Sequence, residues 1–571
     1  MHMDTPARRH DLDALRAFAM LLGIVLHGAL SFFPVLWPVQ DSQQNPLFGA
    51  AVAAIHGFRM PVFFVMSGFF TAMLWRRRGL RSLLGHRFRR IVLPLLLGLL
   101  TVVPAVEWVS AKAIESASTS AAAAVKDAGG VGVPGAALEA TDEPDPATGL
   151  TPLSRAAAED GPDSVKRLLS AGVAVDAPNR DGSTPLLVAA LFGNRGAVEL
   201  LIESGADLDR RGPDGSTALH TAAFFGRPQV VRLLLDAGAD ATLRNGYGQT
   251  PSEVLAADWQ TTSFFAQMVG VELEQGTLEA SRAEVAELLS VGGDSTAAAA
   301  EGQGSGDSAS LFRLLHEPFF HHLWFLWFLC WYVAGFALCV WAGGRLGLGS
   351  TAGWRRIVLS PFRWLWLVPV TALPQALMGR LAPVFGADTS AGLLPMPHVL
   401  VFYGLFFAFG ALYFEAGDAE GKVGRRWFLT LPLGLFVLFP IGLGLTFSGL
   451  QNAEPAVRVA AALVQGAYPW VMLFGLMGLS RRVLGSHRPW VRYLSDASYW
   501  LYLAHLPLIL GAQLLVRDWN LPASVKLTLV CVGVTVILMG IYRVAVRYTW
   551  LGRFLNGPRE RPVRPAAPRP V

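Results

Sequence analysis

The sequence predicts an all-α, polytopic membrane helix bundle of about ten spans, interrupted by an inserted α-solenoid. Three observations predict it. Apolar residues make up 53% of the 571 residues and charged residues only 16%, against roughly 25% charged in soluble domains. Apolar runs near the ~20 residues that a helix needs to cross a bilayer recur at both ends of the chain. Between them the composition changes. Residues 113–315 hold 13 Lys and Arg against 28 Asp and Glu, a net of −15, and the remainder holds 34 against 14, a net of +20.

The apolar runs lie at 14–36, 50–75, 91–110, 319–342, 361–380, 398–416, 427–447, 459–480, 498–516 and 525–546. Loop charge sets their orientation. With the N-terminus inside, the inner loops include "RRRGLRSLLGHRFRR", "GGRLGLGSTAGWRR" and "SRRVLGSHRPWVR". The outer loops "PVQDSQQNP" and "APVFGADTSAGLLPMP" carry no Lys or Arg. Both termini are therefore expected in the cytoplasm. Positive charge sits in short loops between spans, which points to topology and contact with anionic lipid rather than to a nucleic-acid groove. The first run has no small-residue cleavage site, so it reads as a span and not as a removed leader. Cys330, Cys339 and Cys531 fall in apolar runs, so no disulfide framework is implied.

This patterning divides the chain into a membrane body over 8–112 (spans 1–3), a disordered linker over 113–148, a repeat domain over 149–275, a linker over 276–315, a second membrane segment over 316–550 (spans 4–10) and a disordered basic tail over 551–571. Both linkers are low in apolar content. In the repeat domain, "GLTPLSRAAAEDGPDSVKRLLSAGVAVDAPNR" is followed by "DGSTPLLVAALFGNRGAVELLIESGADLDRRGP", by "DGSTALHTAAFFGRPQVVRLLLDAGADATLRNG" and by the shorter "YGQTPSEVLAADW". Gly149, Gly182, Gly215 and Gly248 recur every 33 residues. The period and the Thr217 to Ala223 core resemble the ankyrin repeat. Each such unit is a turn and two short helices that bury their apolar faces only by stacking. By the charge rule the stack lies outside the cytoplasm.

Two ionisable residues stand in the first span. Arg16 and His27 are eleven residues apart, three turns plus about 20°, and so project from one helix face. Their axial separation of about 16.5 Å places His27 near mid-membrane when Arg16 sits at the inner interface. An ionisable group at that depth usually marks a pathway or a site. The plainer alternative is a histidine bonded to a neighbouring helix, with Arg16 paired to Asp13.

The opening Asp-x-Leu-Arg with His27 at this spacing resembles membrane acyltransferase family 3. So do "FRMPVFFVMSGFF", "HLWFLWFLCWYVAGF" and "YLSDASYWLYLAHLPLIL". The resemblance is nearest to the branch that modifies osmoregulated periplasmic glucans, and it covers 8–112 and about 316–550. The ankyrin insert departs from the common pattern. The resemblance implies a bacterial inner-membrane enzyme that takes an acyl group, acetyl or succinyl, from cytoplasmic acyl-CoA. It delivers that group to a hydroxyl of an extracytoplasmic carbohydrate, with His27 and Arg16 as the catalytic pair and the insert in the periplasm. A neutral imidazole is suited to take the hydroxyl proton.

Further candidates follow. Arg87, Arg89 and Arg90 are expected to grip the phosphates of coenzyme A, or to act as topology signals. His56 and Arg59 sit at the outer entrance of the second span, where Arg59 would orient an acyl chain or a sugar hydroxyl, or snorkel. His321, His322 and Trp324 open the fourth span on the outer side, and Trp324 and Trp327 are candidates to stack on a sugar. His505 is a candidate on the ninth span, and Glu107 a second acid or base. Ser67-Gly68 reads as a close helix contact. The sequence has no P-loop, dinucleotide fingerprint, HExxH or paired-cysteine spacing, so no metal is expected, and acyl-CoA is the cosubstrate that the resemblance implies. Two other classes compete: a transporter or flippase using the same polar residues, and a membrane anchor for an ankyrin module that binds a protein partner.

Overall fold

The computed structural model describes residues 9–556 apart from 34–36, 42, 131–140, 146–148, 160, 181, 247, 258, 270, 272, 292–318, 347–351, 380–383 and 448–454. It divides into two compact units, Met1–Ala113 with Asp307–Val571, and Ile114–Gly306.

The first unit is the membrane bundle. Eight of its described helical stretches are long and apolar enough to cross a membrane. One of them, Pro46–Ala113, contains two of the predicted spans. Its first part, Pro46–Arg87, is capped by the Asn45 side chain, which accepts from the Leu47 N–H at 2.9 Å, with Pro46 at the first helical position. A proline there loses no helical hydrogen bond. Gly79, at φ 75°, breaks this helix near the end of its apolar part. A π-turn over Phe88–Val92 then leads into Leu93–Gly130. The predicted span 361–380 is shorter than expected. Its helix is Trp364–Gln375, only 12 residues, interrupted by Pro369 and Pro374. At 1.5 Å per residue it reaches about 18 Å, too short to cross alone.

The helices that build the bundle are His10–Ala29, Pro46–Arg87, Leu93–Gly130, Trp324–Arg345, Pro397–Ala416, Pro455–Leu484, Pro489–Val516 and Ala523–Ile541, with Trp427–Leu433 and Phe439–Phe447 joined by a π-turn. Glycines set the closest approach. A Cβ on Gly68 would collide with the Phe407 carbonyl, and one on Gly410 with the Val65 carbonyl. The backbones of Pro46–Arg87 and Pro397–Ala416 therefore touch, the small-residue packing expected at Ser67-Gly68. Aromatic rings fill the rest of this core. Phe406 stacks on Trp470 at 4.1 Å, and Phe64 lies 4.9 Å from Tyr403. Lys526 and Asp41 are also buried, joined at 2.8 Å, and Lys526 donates to the Arg517 carbonyl at 2.7 Å.

The second unit is the repeat stack. Its helix pairs are Pro152–Ala158 with Pro162–Ser170, Pro185–Phe192 with Arg195–Glu203, and Ala218–Phe224 with Pro228–Asp236. The recurring glycines adopt positive φ: 75° at Gly149, 89° at Gly182, 75° at Gly215 and 75° at Gly248. Only glycine takes that conformation freely, which explains the fixed period. Thr151 and Thr184 cap the first helix of their units. Thr217 forms a capping box with His220. Leu153, Ala157, Leu186, Ala190, Leu219 and Ala223 meet in one core. The shorter fourth unit makes a 3-10 turn over Glu253–Ala256, and its last residue opens the helix Trp259–Met268.

The structure corrects the expected linkers. Residues 113–130 continue the helix Leu93–Gly130, in keeping with their high alanine content. Residues 276–291 belong to the helix Gln275–Val291, and its Val285 and Leu289 join the repeat core. Arg282 fixes that helix by donating to the Ala257 carbonyl at 2.6 Å and to Thr262 at 2.9 Å. In the predicted basic tail, residues 551–556 lie in the helix Trp550–Asn556. Residues 141–145 form irregular chain, and 131–140, 146–148 and 292–315 of the expected linkers and 557–571 of the tail lie outside the described residues.

Candidate functional site

An elongated cavity of about 960 Å³ runs through the membrane bundle. Helix His10–Ala29 lines it from Asp13 and Arg16 to His27. Fourteen residues of helix from Asp13 to His27 make it about 21 Å long on that side. Helix Pro489–Val516 faces it with Ser495, Asp496, Ser498, Tyr499, Tyr502 and His505. Ser495, Ser498, Tyr502 and His505 recur at intervals of three and four, with Asp496 and Tyr499 beside them on the same helix face.

One end is cationic. Arg9, Arg16, Arg77, Arg87 and Arg90 line it, with Asp13 and Asp496 as the carboxylates. Arg16 donates to Ser495 Oγ at 2.6 Å, to the Ser495 carbonyl at 3.2 Å and to Asp13 at 3.3 Å. The predicted Asp13 pairing is thus present, and Arg16 faces the cavity as well. Arg87 donates to Thr71 at 2.7 Å. Arg89 is separated from this group. It is exposed and does not line the cavity, which corrects its expected place beside Arg87 and Arg90.

The other end is a cluster of imidazoles. The His27 and His505 rings lie 5.2 Å apart, and His505 and His322 lie 5.3 Å apart. His505 Nδ1 is 2.8 Å from the Tyr502 carbonyl, so that nitrogen donates and Nε2 carries the lone pair. Among the described residues, His505 Nε2, His27 Nδ1 and His322 Nδ1 have no hydrogen-bond partner. His322 Nε2 is 3.3 Å from the Leu503 carbonyl, and Tyr502 donates to the His322 carbonyl at 2.7 Å. Arg59 lines the cavity with its Nε buried and unpartnered. His56 is 2.9 Å from the Ala387 carbonyl. His321 sits at the rim at φ 43°, with Nε2 2.6 Å from Glu107. Trp324 lines the cavity but is only 7% exposed, wedged against Phe328 at 5.1 Å and Tyr403 at 5.3 Å. Trp327 does not line the cavity and stacks on Phe320 at 5.1 Å.

Sequence reasoning missed two groups here. Ser495, Ser498, Tyr499 and Tyr502 carried a legible signal, the polar stripe in "YLSDASYWLYLAH". Trp37 and Gln513 carried none, because they meet only in the fold. The Trp37 indole N–H donates to Gln513 Oε1 at 2.8 Å. Gln513 Nε2 donates to the carbonyls of His27 and Gly28, each at 3.0 Å. Those carbonyls lie in the last turn of helix His10–Ala29, where helical partners run out. Trp37 lies nearly parallel to His27, with ring centres 5.9 Å apart. Among the described residues, no three His, Cys, Asp or Glu converge as metal ligands.

A polytopic α-bundle enclosing a passage between an arginine end and a histidine end defines a multi-pass membrane protein with a polar intramembrane site. The chain belongs to the acyltransferase domain family, whose description matches residues 9–138 and 282–543. Ankyrin repeats, in three copies, match residues 153–245. Glucans biosynthesis protein C of Escherichia coli strain K12 is 39% identical over 92 residues, 16% of this chain and 24% of that protein. The same protein of strain SMS-3-5 / SECEC gives the same figures. The similar stretch thus spans about a quarter of these relatives' length.

Proposed function

We propose that the protein is an integral-membrane O-acyltransferase. It moves an acyl group from cytoplasmic acyl-CoA to a hydroxyl of a carbohydrate on the other side of the bacterial inner membrane. The single observation that carries this reading is the passage joining the Arg16, Arg87 and Arg90 end to His27. Loop charge supports the arginine end facing the cytoplasm. The family membership supports acyl transfer, and the glucan-related relatives support a carbohydrate acceptor.

In this mechanism Arg87 and Arg90 hold the phosphates of the donor, and Arg16 positions it in the passage. The thioester reaches toward His27. The acceptor enters from the histidine end, near His56, Arg59, His322 and His505. As the acceptor oxygen attacks the thioester carbonyl, His27 takes the hydroxyl proton. The C–O bond forms, the C–S bond breaks, and the proton passes to the departing thiolate. Atoms balance with no further reactant. The ankyrin unit serves as a partner-binding module on the extracytoplasmic side.

The test uses the purified full chain in proteoliposomes, with acyl-CoA on the arginine side and a glucose oligosaccharide on the other. Acylated sugar and free thiol should appear together, and His27→Ala should abolish both without loss of folded protein. Movement of sugar with no acyl-CoA consumed would make the protein a transporter. Function that requires the ankyrin unit alone would make the bundle an anchor.

A further inference from the structure

Two tryptophans line the cavity among the described residues, Trp37 and Trp324. Trp324 is buried against other rings and has no face to offer. Trp37 differs in every respect. It is only partly buried, its N–H is fixed by Gln513, and its ring lies at 19° to the His27 plane. Gln513 is 1% exposed and grips the His27 carbonyl with the same amide that orients Trp37. One buried side chain therefore sets both the helix turn that carries His27 and the indole beside it.

An indole face carries partial negative charge, and the C–H bonds on one face of a pyranose carry partial positive charge, so the two stack. We propose that Trp37 is the acceptor platform: one sugar ring of the carbohydrate lies on its indole, beside the His27 imidazole, with Gln513 as the positioning residue. This rests on the acyltransferase reading and adds the acceptor-side residue to it. The imidazole lies nearly parallel to the indole with its centre 5.9 Å away, so a pyranose on the rest of the indole has the imidazole at its edge. A hydroxyl on the edge of a stacked pyranose is thereby brought up to the imidazole. Trp37 immediately precedes the loop "PVQDSQQNP", which is on the side where the charge rule places the acceptor.

The experiment measures steady-state acyl transfer by the detergent-solubilised full chain, with the glucose trisaccharide laminaritriose as the acceptor probe. Binding of laminaritriose is followed in parallel by saturation-transfer NMR. Trp37→Leu keeps apolar bulk and removes the aromatic face, so KM for the trisaccharide should rise about tenfold, a loss of about 1.4 kcal/mol. KM for the acyl donor should move less than twofold. Trp37→Phe retains a ring and should recover most of the acceptor affinity. Gln513→Ala should raise acceptor KM and lower kcat together, and Gln513→Glu, which keeps the acceptor oxygen for the indole, should restore part of the acceptor KM. Thermal unfolding of each variant checks that it is folded. Equal acceptor KM in Trp37→Leu and the wild type overturns the platform, as does a change confined to donor KM. If the wild type binds laminaritriose but transfers no acyl group, the acyltransferase reading fails alone. Loss of that binding in Trp37→Leu then still supports the platform.

Discussion

Arg59 lays its guanidinium against Gly23, one helical turn before His27. The absence of a side chain at Gly23 is what admits the cation to the cavity wall. A Cβ there would meet the Arg59 Nη1 head-on.

Gly23→Ala should therefore displace Arg59 while leaving the bundle folded. Because the clashing atom is the far end of a flexible side chain, moving the guanidinium relieves it at little cost to stability. Misplacement of a site group by about 1 Å can lower a rate about 10²-fold. A fall of that size in acyl transfer, with little change in thermal unfolding, is the expected result. Wild-type activity in Gly23→Ala would remove Arg59 from the site.

Arginine substitutions should sort by cavity lining. Arg87→Ala and Arg90→Ala should each raise KM for acyl-CoA by about tenfold, the equivalent of one lost charge-assisted contact. Arg89→Ala should leave it within about twofold, because Arg89 is turned to the exterior. Equal effects at all three positions would mean that the loop acts only through its summed charge.

The Lys526–Asp41 pair predicts a strong asymmetry between single and double substitution. Both side chains are sealed from solvent, at 0% and 1% exposure. Lys526→Met or Asp41→Asn alone leaves an uncompensated partner and should destabilise by about 3–5 kcal/mol. The double variant should recover much of that loss. Thermal unfolding of the full chain in detergent reads both values.

The repeat unit should weaken in mild acid through His220. Thr217 donates its N–H to His220 Nδ1 at 3.3 Å, which leaves Nε2–H to donate to the Gln249 carbonyl at 2.9 Å. Burial, ahead of the neighbouring charges, lowers the His220 pKa below its ordinary 6.5. The unfolded chain therefore binds the proton at a higher pH than the folded one. The neutral ring's contribution is complete above pH 6.5 and is lost as pH falls from there toward the lowered folded value. Hydrogen exchange of the Ala218–Phe224 amides, corrected for intrinsic rates, should show less protection at pH 5.5 than at 7.5. His220→Gln should flatten that difference.

Periodic signals made most of the fold legible in the sequence. The 33-residue glycine spacing is the spacing of positive-φ turns, so the solenoid could be read before its packing was known. Arg16 and His27 were legible because helix geometry alone puts them on one face. The helix Gln275–Val291 was not recognised, although Leu278, Val285 and Leu289 keep a helical interval. Its Glu- and Ala-rich surface resembles linker composition. Arg89 could not be told from Arg87 and Arg90 by charge, since only the local helix phase decides which guanidinium turns inward. Trp37 and Gln513 are 476 residues apart, and no local pattern reports a contact of that range.

The hydrogen bond between Glu107 and His321 spans 214 positions of chain at 2.6 Å. It joins helix Leu93–Gly130 to the turn before helix Trp324–Arg345, the two segments that flank the acidic stretch in the chain. A contact that closes so long an excursion of chain costs little more than one that closes a shorter excursion, because closure rises only slowly with loop length. The length of chain between the two residues can therefore vary while the contact inside the bundle stays the same.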